Sequence, residues 1–325
     1  MTQRDLSIDF MRCIGMVLIV LAHSISPDTV LFHVRAFDVP LMVFVSGLCF
    51  AGKEIHSYKS FIWKRTKRLL IPTYLFFIAY FLLVLIFKLA GIDFGITRKH
   101  VIGSFLLETG YSWGWIIKVF LLVAILTPFM LWLSKRIKQF IAIFCLLLIA
   151  LQTYLVSTKF CMDNYFIREF VLYGLGYGIV FLAATGLKER NIKEITIWCI
   201  SIVSLFIYYH INNGWSGIIP INNYKYPPTS YFILYGIGIS LLLYQLKKFF
   251  TPFINKFTVF IGSHTLWIYL YHTPFFNVCT KLNFSWTIKF PILLLGGIIL
   301  AYLQEKAAIW LNKKYPCGFW KYLIG

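Results

Sequence analysis

The chain has 325 residues, of which 59% are hydrophobic and 13% charged, and its formal net charge is +19. A soluble domain of this length needs a larger polar surface, and several stretches approach or exceed the roughly 18 apolar residues of a membrane-spanning helix. The composition therefore excludes an ordinary soluble protein and predicts an all-α fold, a polytopic membrane helical bundle.

In chain order, about ten apolar segments predict transmembrane helices. They lie near residues 7–25, 36–52, 69–90, 115–133, 139–157, 166–186, 195–212, 229–246, 257–277 and 288–311. The first carries Arg12 and lacks a small-residue cleavage site, which predicts a retained helix. With no soluble segment between them, we expect one membrane domain over residues 1–325.

The charged residues between these segments predict the orientation. With the N- and C-termini both cytoplasmic, the inner segments hold 19 of the 31 Lys and Arg residues: Arg4, Lys53, Lys59, Lys64, Arg65, Lys67, Arg68, Lys135, Arg136, Lys138, Lys188, Arg190, Lys193, Lys247, Lys248, Lys256, Lys313, Lys314 and Lys321. Short basic loops stay inside. The positive charge is thus explained by topology and lipid contact, and no nucleic-acid partner is needed.

The seven cysteines form no CxxC pair and no ligand-spaced cluster with histidine. They are typical of small apolar helix residues, so we expect no disulfide framework and no metal site.

The first segment, "MRCIGMVLIVLAHS", carries two polar groups that are costly in a bilayer. Arg12 and His23 are eleven residues apart, about 1100° of helical rotation, so they share a face and lie about 16 Å apart along the axis. Intramembrane ionisable groups usually line a site or pathway. The alternative is that Arg12 snorkels to the inner headgroups and His23 caps the helix.

The second segment, "FHVRAFDVPLMVFVSG", places Arg35 and Asp38 before the span and Ser46 within it. Pro40 predicts the start of the helix. Arg35 and Asp38 either contribute to a site or pair with each other at the outer boundary.

The basic stretch "WKRTKRLLIPTY" precedes the third segment. Arg65 and Arg68 lie three residues apart on one helical face, and two guanidiniums in register suit a phosphate or pyrophosphate. The alternative is an ordinary basic flank of a membrane helix.

Near the C-terminus, "IGSHTLWIYLYHTPF" carries His264 and His272. Eight residues are about 800° of rotation, so the two side chains are about 80° apart, which argues against a shared metal. We expect His272 near the outer end of its span, at a depth similar to His23, as a site residue or an interfacial histidine.

Together these motifs resemble the acyltransferase-3 family of integral-membrane acyltransferases, over about residues 5–310. The resemblance rests on "RCIGMVLIVLAH", "VPLMVFVSG", "RTKRLLIP", "WGWIIKVF" and "IGSHTLWIYLYHTPF" in this order. "LMVFV" stands where members often carry phenylalanines, and Lys118 near the outer edge of the fourth span is unusual for the family.

The resemblance implies transfer of an acetyl group from acetyl-CoA to a hydroxyl of a cell-surface polysaccharide or its lipid-linked precursor, in the bacterial inner membrane. It implies His23 and Arg12 as the catalytic residues, with His23 as general base or transient acyl carrier. It also implies Arg12 with Arg65 and Arg68 as the donor site. The candidate acceptor-binding residues are His272, Asp38, Arg35, Trp115 and Ser46. The expected partners are the lipid bilayer and the carbohydrate; a homo-oligomer stays open.

Two other functions share the helix count and the intramembrane charges. A transporter or flippase of a polysaccharide intermediate is one, although the sequence has no convincing internal repeat and the carboxylates in its spans lie near the edges. A non-catalytic member of a polysaccharide-synthesis complex is the other.

Overall fold

The computed structural model describes residues 5–108, 114–138, 140–187, 192–213 and 220–324. Helices form 82% of the structure, and no strand occurs in these ranges. The α-helices are α1 Leu6–Ala22, α2 Val30–Val34, α3 Asp38–Phe50, α4 Tyr58–Leu89, α5 Arg98–Phe105, α6 Trp115–Arg136, α7 Ile141–Ser157, α8 Lys159–Asp163, α9 Tyr173–Gly186, α10 Ile192–Asn213, α11 Ser230–Gln245, α12 Lys256–Ser263, α13 Thr265–Lys281 and α14 Trp286–Lys314. A π-helical turn, Ile167–Leu172, precedes α9.

Each predicted span overlaps helix, which confirms the all-α, multi-pass membrane fold; residue 139 of the fifth span lies outside the described residues. Within the described ranges, seven helical stretches are long and apolar enough to cross a membrane: Val30–Phe50, Tyr58–Leu89, Trp115–Arg136, Ile167–Gly186, Ile195–Asn212, Ser230–Phe253 and Trp286–Lys314. The helices α1, α7 and α13 have 17 residues each and are slightly shorter. The count of ten and the cytoplasmic termini stay predictions; Arg4, Lys188 and Arg190 lie outside the described residues.

Two predicted spans differ in their details. The basic stretch before residue 69 continues directly into the third span, so α4 runs for 32 residues. The ninth span is interrupted at His264, where the backbone leaves helical geometry (φ −109°, ψ 24°) between α12 and α13. Interrupted membrane helices are tolerated where neighbouring groups satisfy the freed backbone.

The chain forms two compact units, each assembled from separated stretches of sequence. Unit 1 comprises Met1–Ser26, Trp63–Lys118 and Pro252–Gly325, and unit 2 comprises Pro27–Ile62 and Val119–Thr251. In unit 1, α1 packs against α12, α13 and α14, and α13 packs along α14. In unit 2, α9 is largely buried among α3, α7 and α11.

Glycine allows two helices of unit 1 to touch through their backbones. A Cβ atom at Gly262 of α12 would lie 2.0 Å from the carbonyl oxygen of Asp9 in α1. Small residues permit this close approach in membrane helix pairs, where van der Waals packing drives association. Gly262 therefore fixes α12 beside the turn of α1 that contains Asp9.

Outside the spans, one ion pair joins two connections of unit 2. Lys135 Nζ donates to Glu54 Oε1 at 2.7 Å, and this hydrogen bond lowers the pKa of the exposed Glu54 carboxyl.

The substitution Gly262→Ala tests the contact between α1 and α12. We expect a loss of about 1–3 kcal/mol in stability, the usual cost of overpacking, because the new methyl group meets backbone atoms that have no alternative rotamer. Thermal unfolding of the purified protein in detergent measures the change.

Gly174→Ala is the matched control. It is also a helical glycine, but its Cβ would lie an ordinary 3.6 Å from the flexible Leu126 side chain, so we expect little loss of stability. Equal melting temperatures for the two variants would contradict the proposed backbone contact.

Candidate active site

His23 lies at the C-terminal end of α1, one residue beyond Ala22. The last turn tightens there, since the His23 N–H donates to the Val20 carbonyl at 3.1 Å. Pro27 follows four residues later, and a proline favours extended backbone in the residue before it. The helix therefore cannot continue far past His23, and the imidazole occupies its C-cap position.

A second histidine lies directly against this imidazole. His23 Nδ1 and His272 Nε2, on α1 and α13 of unit 1, are 2.7 Å apart, which is a hydrogen bond. The rings are almost parallel, with an interplanar angle of 7° and centroids 4.8 Å apart. The structure therefore brings together two of the sequence-predicted site residues that are 249 positions apart.

The hydrogen bonds fix which nitrogen of each neutral ring carries the proton. His272 Nδ1 contacts the backbone carbonyl of Tyr269, and a carbonyl only accepts, so His272 Nδ1 is the donor. His272 Nε2 is then the acceptor, and His23 Nδ1 must donate to it. In neutral His23 the remaining nitrogen, Nε2, consequently holds the basic lone pair.

The helix α14 holds His272 in place from behind. His272 is fully buried, and Gly297 of α14 packs onto the same turn, since a Cβ there would lie 3.0 Å from the Ile268 carbonyl oxygen and 3.5 Å from the His272 nitrogen. Because the His272 ring is buried, the interaction that it makes with the reaction site is the hydrogen bond from Nε2 to His23. Sequence reasoning missed Gly297, whose only signal was the pair "GG" in "LLLGGII".

An aromatic ring and an ammonium group adjoin the pair. Phe276, one turn beyond His272, meets the His23 ring edge-on, with centroids 6.3 Å apart and an interplanar angle of 72°. Lys289 Nζ lies 4.0 Å from the centroid of the same phenylalanine ring.

Arg12 has a carboxylate partner on its own helix. Arg12 Nη1 donates to Asp9 Oδ1 at 3.1 Å; the Asp9 side chain is 2% exposed and the Arg12 side chain 29% exposed. Asp9 thus orients the guanidinium while part of it stays accessible. The spacing D-x-x-R was a usable signal for this pair, because residues three apart are neighbours on a helix.

The other predicted residues of unit 1 lie on two helices. Arg65 and Arg68 occupy the first turns of α4, where Arg65 is half-buried and Arg68 exposed. Trp115 begins α6 and is half-buried, and Lys118 is buried one turn later.

His264, at the interruption between α12 and α13, has polar neighbours on both sides of its ring within unit 1. Its Nε2 atom lies 3.3 Å from Glu305 Oε1, and its Nδ1 atom lies 2.9 Å from the Phe260 carbonyl oxygen. A carboxylate of α14 therefore lies beside the interruption, without a hydrogen bond to the imidazole.

Three predicted site residues, Arg35, Asp38 and Ser46, belong to unit 2. Arg35 Nη1 donates to Asp38 Oδ2 at 2.5 Å, and each side chain is 2% exposed. The alternative of mutual pairing thus holds, but the pair is buried instead of lying at an exposed boundary. Ser46 Oγ donates to the Met42 carbonyl at 3.0 Å within its own helix.

The Arg35–Asp38 pair predicts a characteristic stability pattern. Breaking a buried pair from one side costs roughly 3–5 kcal/mol, because a charge stays buried without its partner, whereas removing both charges is often close to neutral. We expect Asp38→Asn to destabilise the protein strongly and Arg35→Met/Asp38→Asn to recover most of the loss in thermal unfolding. A double variant as unstable as the single one would contradict a mutually compensated pair.

Comparison with known protein families gives one match, which covers almost the whole chain. The family model described as "Acyltransferase domain" matches residues 5–304. No curated protein and no solved structure matches the chain. The matched range contains both histidines, Arg12 and the two arginines of α4. The chain therefore belongs to the acyltransferase-3 family and is a multi-pass membrane acyltransferase.

Proposed function

We propose that the protein transfers an acetyl group from acetyl-CoA to a hydroxyl of a cell-surface polysaccharide or its lipid-linked sugar precursor, in the bacterial inner membrane. The observation that carries the chemical part of this proposal is the His23–His272 hydrogen bond, which leaves the basic lone pair on His23 Nε2. Acyl transfer to an alcohol needs such a base, and neutral imidazole is suited to it near pH 7.

In the proposed reaction, His23 Nε2 takes the proton of the acceptor hydroxyl. At the same time, the hydroxyl oxygen forms a bond to the carbonyl carbon of the thioester. The carbon–sulfur bond then breaks, and the proton passes from His23 to the departing CoA sulfur. An ester and free CoA are the products. A transient acyl group on His23 is the alternative route, with the same net balance.

The donor site that we propose uses the cationic residues at the other end of α1. Arg12, held by Asp9, is about 16 Å along the helix axis from His23, and Arg65 and Arg68 add two guanidiniums on α4. Guanidiniums bind phosphates through two parallel hydrogen bonds. A donor with its phosphates near these arginines and its thioester near His23 fits this separation.

The reaction itself is testable with labelled substrate. Purified protein in lipid nanodiscs, given acetyl-labelled acetyl-CoA and de-O-acetylated polysaccharide from the producing cells, is expected to release CoA and label the carbohydrate. His23→Ala is expected to slow transfer roughly 10²–10⁴-fold, the usual contribution of general acid–base catalysis. A polysaccharide with unchanged acetyl signals in its proton NMR spectrum after deletion of the gene would contradict the proposal.

The role of His272 as a positioning residue predicts a graded series. Glutamine places an acceptor oxygen near the position of Nε2, whereas phenylalanine fills the volume without any acceptor. We expect His272→Phe to lower kcat by about 10²-fold or more and His272→Gln to retain most of it, because only the first loses the tautomer control of His23.

Melting temperatures separate this effect from misfolding. If His272→Phe and His272→Gln lost equal activity at wild-type stability, the hydrogen bond to His23 would have no role in the reaction.

The donor site predicts a defect that depends on the donor phosphates. We expect Arg65→Gln and Arg68→Gln each to raise the KM for acetyl-CoA about tenfold, the size of one lost charge-assisted hydrogen bond. With S-acetylpantetheine, which has no phosphates, the variants and the wild type should have the same KM.

Arg136→Gln is the matched control, since Arg136 is also a basic residue at a helix end, resting on the ring of Trp132. An Arg136 effect as large as that of Arg65, or an undiminished defect with S-acetylpantetheine, would contradict phosphate binding at α4.

A further inference from the structure

The end of unit 1 that carries the histidine pair is unusually basic. Residues 88–118 and 278–290, which contain the connections at this end, hold six cationic residues against two carboxylates: Lys88, Arg98, Lys99, Lys118, Lys281 and Lys289 against Asp93 and Glu108. The corresponding segments of unit 2 are balanced, with four of each: Arg35, Lys159, Arg168 and Lys225 against Asp28, Asp38, Asp163 and Glu169.

This excess opposes the usual distribution of charge. In the predicted topology these segments face away from the cytoplasm, where Lys and Arg are normally depleted in short loops. Lys118 is buried, so the other five cations form the charged surface on that side. This surface needs a cause other than membrane topology, and binding of an anionic ligand is the direct one.

Two of the cations are already engaged by one aspartate. Asp93 Oδ2 lies 3.4 Å from Lys88 Nζ, and the Asp93 carbonyl accepts a hydrogen bond of 2.6 Å from Lys281 Nζ. The Gly95 N–H donates to Asp93 at 2.8 Å and is the main cause that lowers the pKa of this carboxyl. Asp93 thus anchors the connection to the end of α13.

Lys289 is held differently. Its Nζ atom donates to Thr280 Oγ1 at 3.0 Å and lies over the Phe276 ring at 4.0 Å. Among the described residues, no carboxylate pairs with it. Lys289 is half-buried, so its ammonium group can still donate a charge-assisted hydrogen bond to an oxyanion.

The position of Lys289 relates this ligand to the reaction. The ring under its ammonium group is the one that meets His23 edge-on, with centroids 6.3 Å apart. Lys289 Nζ is therefore at most about 10 Å from the centre of the His23 ring. A cation at that distance can hold one group of a molecule whose hydroxyl lies at His23.

We propose that Lys289 is a specificity-determining residue that binds an oxyanion on the acceptor, so that the acceptor is an acidic carbohydrate. The oxyanion is either a sugar carboxylate or the diphosphate of a lipid-linked precursor. This inference rests on the proposed function and adds to it the chemical class of the acceptor.

The experiment compares matched acceptors in nanodiscs with acetyl-labelled acetyl-CoA. The acceptors are the de-O-acetylated polysaccharide, the same polymer after carbodiimide and borohydride reduction of its carboxylates, and the polyprenyl-diphosphate-linked precursor with its phosphate-free glycan. These acceptors form two pairs, the acidic polymer with its reduced form and the diphosphate-linked precursor with its phosphate-free glycan. In the pair whose anion binds Lys289, we expect Lys289→Gln to raise the KM for the anionic acceptor about tenfold, since one charge-assisted contact is lost. The kcat should change less than about twofold. Lys289→Arg should retain the wild-type KM.

The neutral member of that pair should bind more weakly to the wild type and be insensitive to Lys289→Gln. An effect in the carboxylate pair identifies the sugar acid as the ligand, and an effect in the diphosphate pair identifies the precursor. Lys306→Gln, which removes another lysine of α14 that lies over a tyrosine ring, should leave both KM and kcat unchanged.

Three results would overturn the inference: an equal KM change for acidic and neutral acceptors, a change in kcat alone, or no change with any acceptor. In each case wild-type transfer of label would still support the proposed function. Absence of any transfer by the wild type would contradict the proposed function itself.

Discussion

A hydrogen bond between two imidazoles connects α1 to α13, and the arrangement of the site depends on it. The bond has a direction, because His272 already donates its other proton to the Tyr269 carbonyl. That carbonyl belongs to the helix which carries His272, so the backbone sets the tautomer of one ring and, through it, that of the other. Two helices must therefore keep their register to within a fraction of an ångström for His23 Nε2 to hold the lone pair.

Glycines at helix contacts provide this register. Gly262 lets α12 touch α1 at Asp9, and Gly297 lets α14 touch the turn of α13 that carries His272. Both contacts involve backbone atoms, which cannot change rotamer to relieve a shift. The same contacts place Asp9 so that it holds Arg12 at one end of α1 while His272 holds His23 at the other. Arg12 and His23 thus each have a partner that orients them, as expected for ionisable groups in a membrane helix.

The sequence predicts the spans and the candidate polar residues of the site, because apolar runs and isolated ionisable groups are local signals. It also places His23 and His272 at similar depth. It does not predict that their rings touch, since helical periodicity describes each helix alone and the partner is set by packing between helices far apart in sequence. Asp9 was recognisable from its spacing to Arg12. The burial of Arg35 and Asp38 could not be predicted from the sequence. A short polar segment before a span is normally interpreted as an exposed boundary, and only the packing of α3 shows that this one is buried.

The nature of the partner of His23 bears on the order of the chemical steps. In serine hydrolases a carboxylate holds the imidazole and stabilises the imidazolium that forms. Here the Nδ1 partner is a neutral imidazole, which fixes the tautomer but supplies no negative charge. The imidazolium form of His23 therefore gains less from its Nδ1 partner than it would from a carboxylate. Under the proposed function this favours a reaction in which the proton taken from the hydroxyl is returned to the leaving sulfur within the same encounter, with the acceptor already bound before the thioester is attacked.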